Sequence, residues 1–156
     1  MKKKIFFTLF FVVFFSVNVF AFDTTLFDIR NAIFEESKAM KSLLKNSKDI
    51  ILMNSMWDSC VMTMAQLDAY FTMLGIFNTI KKENLKEEAI GYLANWLEGV
   101  KRTNELNIKS LDSVTLVLEE ETKKRILKLK DYFEKLNNQI NAELDKLSIL
   151  KKSLKI

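Results

Sequence analysis

Residues 125–154 read RILKLKDYFEKLNNQINAELDKLSILKKSL. Ile126, Leu129, Phe133, Leu136, Ile140, Leu144, Leu147, Leu150 and Leu154 recur at steps of three and four, with Lys and Glu between them. Residues so spaced fall on one stripe of a helix. Sustained over four repeats, the spacing approaches the heptad of a coiled coil. A strand would alternate with period two, and no such pattern competes anywhere in the chain.

Composition extends the same reading upstream. The 156 residues include no Pro and only three Gly. Sheets depend on tight turns, and tight turns depend on Gly, Pro and Asn. Their scarcity beside abundant Leu, Lys, Glu and Met predicts long helices with few connections. The length suits one domain, expected over residues 22–156.

A first helix is expected to start near Asp23-Thr24-Thr25, with Leu26, Ile29, Ile33, Met40, Leu43 and Leu44 inward, and to end near Asn46-Ser47. A second should run from about Asp49 to Ile80. Projected at 100° per residue, it gathers Met53, Met56, Trp57, Cys60, Met64, Leu67, Phe71 and Leu74 on one side. Its other side is mixed, with Met62, Tyr70, Met73 and Phe77 among polar residues. A helix apolar around most of its circumference wants to be surrounded, at the centre of a bundle or in an interface. Asn84 with Glu87 has the spacing of a capping box and predicts the start of a third helix. Leu85, Ala89, Tyr92, Leu93, Trp96 and Val100 form its expected apolar face. Poor helix formers at Thr103 to Asn107 predict a weak point, and the last segment is expected to run from about Ser110 to the end. The expected fold is all-α: an antiparallel helical bundle of three or four long helices, the last one coiled-coil-like.

The first residues read differently. Lys2, Lys3 and Lys4 precede the apolar run IFFTLFFVVFF at positions 5–15, and Val19-Phe20-Ala21 offers small or modest side chains around a bulky one. That order is the order of a secretory signal peptide cleaved after residue 21. An uncleaved anchor is the alternative, since Ile5 to Phe22 is just long enough to span a bilayer. Either way the remainder is expected outside the cytoplasm, in the periplasm of a bacterium or secreted. Asp58 and Asp68 interrupt the best later apolar stretch, so no further spanning segment is expected.

The chain contains no His, which excludes Ser-His-Asp and Cys-His mechanisms and the commonest zinc and haem ligand. Cys60 is the only cysteine, so no internal disulfide can form. Met56, Cys60 and Met64 share a helical face at i, i+4 and i+8, and soft sulfur donors suit Cu(I). Methionine and free cysteine are equally ordinary core fillers, and the outer two sulfurs start about 12 Å apart along a helix. No stoichiometric Cu(I) binding is expected. Asp58 and Asp68 are too far apart to act as a carboxylate pair. Glu119-Glu120-Glu121 before Lys123-Lys124-Arg125 reads as a solvated face with i, i+4 pairs. No catalytic, cofactor-binding or metal-binding residue is assigned.

Charge is uneven. Residues 22–122 hold 11 Lys and Arg against 16 Asp and Glu, while 123–156 hold 10 against 4. The simplest outcome is a basic last helix packed antiparallel on a more acidic remainder; the functional one is peripheral contact with an anionic membrane. Nucleic acid is not expected as a partner. The leading expectation is an exported, non-enzymatic structural or interaction protein using apolar helix faces to contact itself or another periplasmic protein. The alternative is a periplasmic small-ligand or sensor bundle with a pocket lined by Trp57, Phe71, Tyr92 and Trp96.

Overall fold

The computed structural model describes residues 24–43, 50–114 and 119–154. The signal peptide expected at 1–21, the capping role expected of Asp23 and the helix end expected at Asn46-Ser47 lie outside these residues. Four helices hold almost all of the described chain: α1 Thr24–Leu43, α2 Ile50–Phe77, α3 Glu83–Val114 and α4 Glu120–Ser153. No strand occurs among the described residues.

Each helix packs on its neighbours in a closed ring, α1 on α2, α2 on α3, α3 on α4 and α4 back on α1. Cross-contacts run in opposite chain directions at every seam. Arg30 meets Asp68, the indole of Trp96 meets the Gln66 carbonyl, Lys130 meets Asp112, and Arg125 meets Glu36. The architecture is therefore an antiparallel, up-down-up-down four-helix bundle.

The ring closes because all four helices carry one repeat. Met53, Met56, Cys60, Thr63, Leu67, Tyr70 and Phe77 of α2 are buried, as are Ile90, Leu93, Leu97, Val100, Asn104 and Leu111 of α3. Thr122, Ile126, Leu129, Phe133, Leu136, Ile140, Glu143 and Leu147 continue it on α4, and Leu26, Ile33, Glu36 and Met40 on α1. These are the inward positions of a heptad, and each large apolar side chain taken from water is worth roughly 1.5–3 kcal/mol.

Several details differ from expectation. Tyr70 and Phe77 are buried, although a straight 100° projection puts them on the outer side of α2. A strict heptad drifts about 20° per repeat from that projection, enough over three repeats to bring them inward. On α3 the buried stripe runs through Ile90 and Leu97, leaving Leu85, Tyr92 and Trp96 exposed. Its start at Glu83 puts Asn84 within the first turn rather than at the cap, and the Lys86 N–H donates to the Lys82 carbonyl.

The weak point expected at Thr103 to Asn107 is absent, and α3 continues unbroken to Val114. Asn104 explains this. It is buried against α4, its amide donating to the Phe133 carbonyl at 2.6 Å and to Asn137 Oδ1 at 2.9 Å. Tertiary contact of that kind overrides a small deficit in propensity. The last helix consequently begins at Glu120 rather than Ser110. On α4, Glu143 takes the inward position expected of Leu144, which packs at the margin.

Candidate functional site

The sulfur stripe lies in the core. Met56, Cys60 and Met64 are all buried, as are Met40 and Met53. The Cys60 thiol is pushed up to about 12, first by burial and then by the negative charge of Glu36. It stays protonated at ordinary pH, whereas a nucleophile or metal ligand needs the thiolate. No group of three His, Cys, Asp or Glu side chains placed to hold a metal ion occurs among the described residues.

Glu36 is the residue that sequence reading missed. Its carboxylate is 2% exposed. Arg125 Nη1 approaches one oxygen at 3.1 Å and Lys128 Nζ the other at 2.9 Å. Arg125 also reaches Glu121 at 3.2 Å, so the acidic run does pair at i, i+4. Burial of a carboxylate is tolerated because two cations and their hydrogen bonds replace water. In return, the carboxylate and the Glu121 side chain hold the Arg125 guanidinium above its ordinary range. Only the spacing of Glu36 with Ile33 and Met40 hinted at this. A second buried acid, Glu143, accepts from the Tyr70 hydroxyl at 3.3 Å and pairs with Lys146 at 2.6 Å.

The remaining candidates stay apart. Asp68 is held by Arg30 Nε at 3.0 Å and Nη2 at 2.8 Å, while Asp58 stands exposed on α2. Trp57 lies beneath the Lys41 ammonium, 4.9 Å from the ring centre. Phe71 packs against Phe27 and Tyr70. Tyr92 is 65% exposed, and Trp96 donates its indole N–H to the Gln66 carbonyl at 2.9 Å. These four aromatics do not converge on a common space. An open depression beside Glu120, Glu121, Lys123, Lys124 and Leu127 touches none of them.

The basic helix spends much of its charge inside the molecule. Arg125 and Lys128 meet Glu36 of α1, Lys130 meets Asp112 of α3, and Lys135 and Lys146 meet acids of α4 itself. Lys123 and Lys124 at its start and Lys151 and Lys152 at its end carry the surplus.

The seam between α2 and α3 is different in kind. Three seams of the ring carry an ion pair, but α2 supplies only Asp58 and Asp68, and Asp68 turns to α1. On α2 every residue within about 40° of Gln66 is uncharged, and the same holds around Trp96 on α3. Met62 at 57%, Ile76 at 60%, Leu85 at 44% and Leu106 at 64% exposure line this seam and its outer edge with Tyr92 and Trp96. By length and composition α2 could even cross a bilayer, against the expectation drawn from its two aspartates, and only a third of its most apolar stretch is buried by the other helices. A core helix passes the same test of composition. What the arrangement offers chemically is an apolar, aromatic-bearing strip, uncharged around Gln66 and Trp96, with Asp58, Glu88 and Arg102 exposed on its outer side. No family model, no curated protein and no solved structure matches this chain.

Proposed function

We propose that this chain is an exported, non-enzymatic interaction protein that acts through helix–helix contacts with itself or with another protein. The apolar, aromatic-bearing strip along α2 and α3 carries the reading. Exposed apolar side chains scattered singly are ordinary on any surface, but a contiguous run flanked by polar residues marks a place of contact. Tyr, Trp and Met are the side chains that interfaces favour. Export rests on the lysine-led apolar start and the Val19-Phe20-Ala21 site.

Two measurements test the reading. Mass spectrometry of the chain recovered from producing cells should show a protein that begins at Phe22. Light scattering, with capture from periplasmic extract, should show association with a second copy or a discrete partner. A chain retained at full length in the cytoplasm argues against export. A strict monomer that captures nothing argues against interaction.

A further inference from the structure

Resting on that reading, we infer that the occupant of the α2/α3 face is a second copy of this chain, docked face to face about a two-fold axis. Three observations favour a copy over an unrelated partner. First, residues 22–156 hold 21 Lys and Arg against 20 Asp and Glu, so long-range repulsion does not oppose self-association. Second, a two-fold contact sets a surface against itself, and like charges meeting across it are what usually forbid the arrangement. The strip within about 40° of Gln66 and Trp96 carries no charge and escapes that penalty, and exposed Asp58 on the outer side of α2 falls at the level of Leu74 of the other copy rather than opposite itself.

The third observation is at the edge of the face. Glu88 and Arg102 are exposed on the outer side of α3, seven residues to either side of Asn95, and neither forms an ion pair among the described residues. A two-fold axis through the level of Gln66 and Trp96 runs the two α3 helices antiparallel. Arg102 of each copy then stands opposite Glu88 of the other, so the rim is complementary and fixes the register. The face is large enough. From Leu85 to Leu106 a helix advances about 33 Å, and two adjacent helices present a strip about 18 Å wide. Facing copies would bury roughly 1,200 Å² in total, the lower edge of the range of specific interfaces.

The test is light scattering on the processed chain across micromolar to submillimolar concentrations. Twice the monomer mass is expected at the upper end, together with a blue shift of Trp96 emission as its ring leaves water. Tyr92→Lys and Met62→Lys should return the monomer with helicity unchanged by circular dichroism, while Ile149→Lys on α4 leaves the dimer intact. Arg102→Glu should weaken the dimer at least tenfold, and adding Glu88→Arg should restore it. A dimer that survives Tyr92→Lys and Met62→Lys overturns the assignment of this face. A monomer at every concentration that captures a different protein through Tyr92 overturns the second copy and leaves the broader reading standing. A monomer that instead binds neutral phosphatidylcholine vesicles, or binds nothing, overturns both.

Discussion

Cys60 and Glu36 lie near one another inside the bundle, and their burial has measurable consequences. The native thiol is held up to about 12 while an unfolded thiol ionises near its ordinary range. Between those limits the native state keeps a proton that the unfolded state has released. Stability from this group is therefore complete below the ordinary thiol range and falls above it by about 1.4 kcal/mol per pH unit until the native thiol ionises. Urea denaturation from pH 8 upward should show that decline, and Cys60→Ala should remove its first part, before the lysines titrate. Glu36 makes a second residue-scale prediction. Glu36→Gln keeps the shape and leaves two part-exposed cations free to turn to water, at a cost of about 1–2 kcal/mol. Replacing both Arg125 and Lys128 by Met strands a buried carboxylate and should cost about 3 kcal/mol or more. Equal losses in thermal unfolding would show that the carboxylate does not depend on its partners. The burial of Cys60 was legible from its helical face, whereas Glu36 was not, because one Glu among polar neighbours looks like any solvated residue until the helix that covers it is known.

At the scale of the element, α4 was readable and α3 was not, for the same physical reason. The inward positions of α4 are mostly Leu, Ile and Phe, so its stripe stands out from the Lys and Glu around it. On α3 the bulkiest side chains, Tyr92 and Trp96, lie outside the core, and Asn104 lies within it. A rule that sends large rings inward must rotate such a helix the wrong way. The same exposed rings are the main component of the candidate face, so the error and the proposed function share a cause. The glycines of α3 give this element its own prediction. A Cβ added at Gly91 meets nothing within 4 Å, and the residue has ordinary helical backbone. Gly91→Ala should stabilise the protein by about 0.5–1 kcal/mol, since alanine has less backbone freedom to lose on folding. A lower midpoint in urea would mean that the space beside Gly91 is filled in solution.

For the whole molecule, composition alone was enough for an all-helical bundle, whereas the number of helices turned on one junction. Poor helix formers at 103–107 look like a break until Asn104 is seen bonded to α4; α3 runs on to Val114 and α4 begins at Glu120. The ring of seams set out above also has a consequence in time. Three of its four seams join helices adjacent in the chain, and contacts local in sequence form early and fast. The fourth, α1 against α4, joins the two ends of the described chain and must wait for the largest loop to close. Glu36, Arg125 and Lys128 stand on that seam. If it closes after the rate-limiting step, Glu36→Gln should speed unfolding and leave the folding rate alone, moving only one arm of a chevron plot. A matching loss in the folding arm would instead place this seam in the nucleus, and α4 would then dock before the ring is otherwise complete.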